Sequence, residues 1–157
     1  MSKKTNKNEK PQNKRLDNRR RKELKKILSE RYLINVNKNL VNFISLYIDC
    51  EATAKKFVQY YKSDKGQKNS EAYEVLKYDE VEKAAKYFGL NIDSQLIVSI
   101  FSSGRGIRGS KTSRQLRNGI LHSKAVKDIE EVEQRFDELI KLMGTWIDKS
   151  KEVIHRL

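Results

Sequence analysis

The chain has 157 residues, long enough for one domain with a hydrophobic core and short for two. Charged residues make up 35% of it and the formal net charge is +13, which favours a polyanionic partner because clustered Lys and Arg release counterions from phosphate backbones. A single Cys50 excludes an internal disulfide, and the absence of CxxC, HExxH, GxxxxGK and GxGxxG removes the usual zinc, phosphate-loop and dinucleotide readings.

The charge is unevenly spread. Residues 1–26 hold twelve Lys or Arg against Glu9, Asp17 and Glu23, so +9 of the +13 lies there. MSKKTNKNEKPQNKR contains the only proline and no large apolar residue except Met1, too little to offset its ordering entropy. Residues 1–26 therefore read as a disordered basic arm, serving either nucleic-acid binding or solubility, and residues 27–157 as the folded body. No apolar run approaches the roughly 20 residues that span a bilayer, and the N-terminus lacks a signal-peptide core, so a cytoplasmic protein that is not in a membrane is expected.

In the body the apolar spacing is helical nearly throughout. Leu33, Val36, Leu40, Ile44 and Tyr47 line one face of a helix over 31–49, and a second helix is predicted over 52–61 with Phe57, Val58 and Tyr61 inward. After the polar loop SDKGQKNS, Ser70 reads as the N-cap of a helix, broken near Tyr78, that carries Val75, Leu76, Val81, Ala84, Ala85 and Phe88 up to Gly89. Residues 93–101 (LIVSIF at their centre) have strand-like composition but no partner strand, and are assigned to a buried helix. Cys50 reads as a small buried hydrophobe. Tyr60, Tyr61, Tyr73, Tyr78 and Tyr87 read as core or interface residues rather than base-stacking platforms.

Ser102 to Ser113 is the one long irregular connection in the body. Its GRGIRG segment either clamps an RNA backbone through arginines and exposed amides or is a flexible connector. Arg105, Arg108, Lys111 and the following Arg114 are the candidate RNA contacts. From Ile129 through Val132, Phe136, Leu139, Met143 and Trp146, a long amphipathic helix runs to about Val153 and needs partner helices to cover its stripe. The predicted fold is thus an all-α, up-and-down bundle of four to five main helices.

Between loop and last helix lies RQLRNGILHS. Leu116 and Ile120 form an apolar pair, Asn118 and His122 share a face, and Arg117 lies about 140° from His122 on an ideal helix. Histidine can move a proton near neutral pH, and arginine matches phosphate oxygens. Such a pair suits RNA cleavage by the 2′-hydroxyl, which needs a base and a cation at the phosphorane but no metal. The structural alternative is that His122 finishes a helix and Arg117 contacts a surface carboxylate or phosphate. His155 is given no function.

LRNGILHS followed by VKDIEEVEQRFDELIKLMGTWI resembles the HEPN superfamily. The match covers about residues 114–147. The resemblance implies a small helical bundle, commonly dimeric, with metal-independent endoribonuclease activity in toxin, antiphage or RNA-guided settings. It implies Arg117 and His122 as the catalytic pair, with Asn118 at the polar position, and no cofactor. Expected partners are RNA, a second copy of the chain, and an antitoxin or effector-complex subunit. The 140° separation suggests a site shared across a dimer. The rival expectation is a non-catalytic HEPN-like module that binds nucleic acid or another protein within a larger complex.

Overall fold

The structure, a computed structural model, describes residues 18–20, 22, 24, 25, 37–67, 75–123 and 125–156. Among the described residues it is all-α. The main helices are α1 (Lys38–Asp64), α2 (Tyr78–Tyr87), α3 (Ser94–Phe101), α4 (Ser113–Asn118), α5 (Val126–Gln134) and α6 (Phe136–Arg156). Residues 18–20, 22, 24 and 25 have helical backbone, where an irregular arm was expected. The rest of that arm, like the Ser70 cap and Tyr73, lies outside the described residues.

Helix α1 is one helix where two were expected, because DCEATA contains neither glycine nor proline to interrupt it. Its start is fixed by Asn37, whose side chain accepts from the amides of Asn39 and Leu40 at 3.1 and 3.2 Å. It is the spine of the bundle and packs against α2, α4, α5 and α6. Its buried face carries Leu40, Phe43, Tyr47, Cys50, Ala54 and Phe57. Opposite stand Leu139, Met143 and Trp146 of α6, with the Trp146 indole edge-on to Phe57 and Phe101.

Helix α2 begins at Tyr78, leaving Val75 exposed and Leu76 buried, and ends before Gly89 at φ 74°. Tyr60, Tyr78 and Tyr87 are exposed rather than buried; Tyr87 packs edge-on against Tyr61 and Phe88 while its hydroxyl donates to Asp64. The apolar segment 94–101 is helical, capped by Asp93 and buried through Ile97, Ile100 and Phe101.

The long final helix bends at Arg135, dividing it into α5 and α6. No glycine or proline stands there. Instead the Arg135 guanidinium reaches the Lys111 carbonyl at 2.9 Å and pairs with Glu131 and Glu138, tying the bend to the α3–α4 loop. Among the described residues no helix is long and apolar enough to cross a membrane.

Candidate active site

Helix α4 is positioned by a capping box. Thr112 Oγ1 accepts from the Gln115 amide and the Gln115 side chain accepts from the Thr112 amide, both at 3.1 Å. The Thr112 hydroxyl also donates to the Ser102 carbonyl at 2.7 Å, anchoring the helix start to the end of α3. Leu116 and Ile120 then enter the core as the apolar pair anticipated from the sequence.

At Gly119 the α-helix widens into a π-turn over Gly119–Ser123, which ends with the Ala125 amide donating to the Gly119 carbonyl at 3.2 Å. This changes the geometry of the pair. Bonding from i to i+5 winds fewer degrees per residue, so on ideal spacing the separation of Arg117 and His122 falls below the roughly 140° of an α-helix. Extra turns of this kind recur at functional positions in helices.

Gly119 has ordinary helical dihedrals, so left-handed freedom is not what it provides. A Cβ at this position would stand 1.8 Å from Asp128 Oδ2. Asp128, only 4% exposed, presses on the backbone there while its other oxygen is held by Lys111 in a short ion pair. Asp128 thus stands against the first residue of the wide turn, and His122 is exposed, between exposed Leu121 and the exposed start of α5 at Val126 in the chain.

Arg117 is half-buried, and both its terminal nitrogens are engaged within its own chain. Its Nη2 lies 3.1 Å from Glu51 Oε2 on α1, its Nη1 donates to Asn118 Oδ1 at 2.7 Å, and the guanidinium sits 5.3 Å from the Tyr47 ring centre. Its Nε is buried without a partner. Burial, with the Glu51 carboxylate nearby, holds the Tyr47 hydroxyl well above the ordinary phenol range, so the ring stays neutral beneath the cation. The cluster thus joins a fixed cation and its amide neighbour to an exposed imidazole one wide turn away.

The four candidate RNA contacts divide. Arg105 and Arg108 are exposed on the loop, Arg105 donating to the Gly109 carbonyl at 2.9 Å. Lys111 is spent partly on Asp128. Arg114 donates to the carbonyls of Leu76 and Phe101, joining the approach to α2 with the end of α3, and so has a structural task. Glu51, Tyr47 and Asp128 were not singled out from the sequence. Nothing local marks Glu51, which is 66 residues from its partner, whereas the Thr112–Gln115 box was legible as T-x-x-Q. No group of three or more His, Cys, Asp or Glu side chains suited to a metal ion occurs among the described residues. Comparison with family models, curated proteins and solved structures yielded no match.

Proposed function

We propose that the chain is a metal-independent endoribonuclease of the HEPN type, acting in the cytoplasm in a toxin or antiphage setting. The observation that carries this reading is the π-turn between Arg117 and His122, whose wider winding narrows the angle between them on ideal spacing, together with the exposed imidazole. In the reaction His122 takes the proton of the 2′-hydroxyl as its oxygen attacks the adjacent phosphorus. Arg117, with Asn118 beside it, stabilises the charge on the phosphorane oxygens. The departing 5′-oxygen takes a proton from solvent water while His122 releases its own to solvent, giving a 2′,3′-cyclic phosphate and a 5′-hydroxyl. RNA is the substrate, the homodimer is the expected form, and an antitoxin or effector subunit is the expected regulator.

A second reading has its own support. Arg117 and Lys111 are each ion-paired within the chain, and Arg114 is held by carbonyls, as in a module that binds without cutting. Incubation of the pure protein with labelled RNA in excess chelator separates the two. The His122→Ala variant should cleave on the order of 10² to 10⁴ more slowly while melting within a degree or two of the parent, since the side chain is exposed. A 2′-deoxy residue at the cut position should block cleavage. Equal cutting of that substrate, or retained activity in the variant, overturns the assignment.

A further inference from the structure

The α3–α4 loop faces the α5–α6 bend across a cleft of about 370 Å³ that Arg117, Asn118 and His122 do not line. Its walls include Ile107, Arg108, Lys111, Arg135, Glu138 and Leu142. Three cations therefore meet one carboxylate, but their availability differs. Lys111 is paired with Asp128, and Arg135 with Glu131 and Glu138. Arg108 has no ion-pair partner among the described residues.

Arg108 is also the one non-glycine residue with positive φ among the described residues, at φ 57° and ψ 27°. An L-residue pays a steric penalty there, and it persists only where the surroundings enforce it. Here the loop is closed by Gly106 N–H to the Ser110 carbonyl at 2.8 Å and by Ser110 N–H to the Ile107 carbonyl at 3.2 Å. Gly109, also left-handed, follows directly. A glycine at 108 satisfies the same backbone at lower cost, so the arginine side chain is what the position retains.

These features specify a ligand with three parts. An anion answers the unpaired Arg108 guanidinium. An apolar body answers Ile107, which is substantially exposed, and Leu142, both on the cleft wall. A hydrogen-bond donor adds to the Glu138 carboxylate at the rim, whose two oxygens also accept from Arg135. Inorganic phosphate supplies only the first part. A nucleotide supplies all three, and its volume suits a pocket of this class. Carboxylates accept from exocyclic base amines, which adenine, cytosine and guanine carry and uracil lacks.

We propose that this cleft is a nucleotide subsite that holds one amine-bearing nucleotide of an RNA strand. Its place beside the cut rests on the ribonuclease reading above; its affinity for a nucleotide does not. The two sites share a wall, because Lys111 lines the cleft and pairs with the Asp128 that presses on Gly119 at the start of the π-turn.

The test uses the full chain carrying His122→Ala, titrated calorimetrically with AMP, CMP, GMP, UMP, inorganic phosphate and short oligonucleotides. At least one amine-bearing mononucleotide should bind about tenfold more tightly than UMP or phosphate, and oligonucleotides containing that base more tightly again. Arg108→Gly should weaken nucleotide binding about tenfold while the melting temperature holds or rises, because the backbone strain is relieved. Glu138→Gln should narrow the difference between that mononucleotide and UMP. Equal affinity for phosphate and all nucleotides, or binding indifferent to Arg108→Gly, overturns the subsite. Mononucleotides binding as tightly as oligonucleotides would make it a free-nucleotide site and overturn the strand assignment. If the parent chain cuts no RNA while the affinity pattern holds, the flanking role falls and the nucleotide site stands.

Discussion

Glu51 on α1 and Arg117 on α4 meet at 3.1 Å, each side chain only about a fifth exposed, with the Tyr47 ring beside the guanidinium. An ion pair at that depth keeps more of its strength than a surface pair, and it also competes with any phosphate for the same cation. Glu51→Gln keeps the shape and removes the competing charge. It should cost about 1 kcal/mol of stability and tighten RNA binding roughly threefold to tenfold in a His122→Ala background. Arg117→Ala should cost about 1–2 kcal/mol and weaken binding. Thermal melts and filter binding at fixed salt check both, and Glu51→Gln weakening the binding would mean that Arg117 is not a phosphate contact.

Gly119 and Asp128 are coupled by sterics. A methyl group at 119 meets the Asp128 carboxylate at 1.8 Å, so Gly119→Ala must move either that buried side chain or the turn, at a cost of about 1–3 kcal/mol. In an Asp128→Ala background the same change should cost much less. A double-mutant cycle on urea midpoints measures the difference, and additive costs would show that Asp128 does not clamp the turn. The displaced turn carries His122, so cleavage should fall in Gly119→Ala by more than the stability loss accounts for.

The helical content was legible because hydrophobic period and the scarcity of proline and glycine act locally. Leu116 and Ile120, the 94–101 helix and the Gly89 stop all follow from spacing or from a single residue's conformational freedom. The continuous α1 was missed because its buried face passes through the small residues Cys50 and Ala54, which mark it weakly between Tyr47 and Phe57. The bend at Arg135 was missed for the opposite reason: its cause is a tertiary bond to the Lys111 carbonyl, 24 residues away. The candidate site divides in the same way. Arg117, Asn118 and His122 stand in one motif, whereas Glu51, Tyr47 and Asp128 join it only through packing, Asp128 standing against a glycine nine residues earlier.

Cys50 donates to the Met143 carbonyl at 3.5 Å inside the core, and burial, helped by Asp49, has its thiol pushed up to about 12. The unfolded chain ionises this thiol at its ordinary, lower value. The contribution is therefore fully present below that value and is lost as pH rises toward the folded one. Melting temperature should fall more steeply above about pH 9 in the parent than in Cys50→Ala. At pH 8 the folded protein should react with a thiol reagent at least about 10² times more slowly than the denatured chain. Comparable rates would place the thiol outside the core.

The expectation of a site shared between two chains rested on the 140° that separates Arg117 from His122 on α-helical spacing. Across the π-turn that angle is narrower on ideal spacing, which would allow one chain to present both to a single phosphate. A homodimer is still expected, and the exposed Leu121 and Val126 that flank His122 offer apolar surface for it, but each protomer then carries its own pair. Mixing Arg117→Ala with His122→Ala under conditions of subunit exchange tests this directly. With paired residues in one chain, each protomer of the heterodimer lacks one member and activity should remain at background, on the order of 10² below the parent or lower. With residues shared between chains, one complete site reforms and activity recovers to as much as about half the parent value per heterodimer. Recovery in heterodimers verified by native mass spectrometry would return the site to the interface, and would make Leu121 and Val126 part of what holds the two halves together.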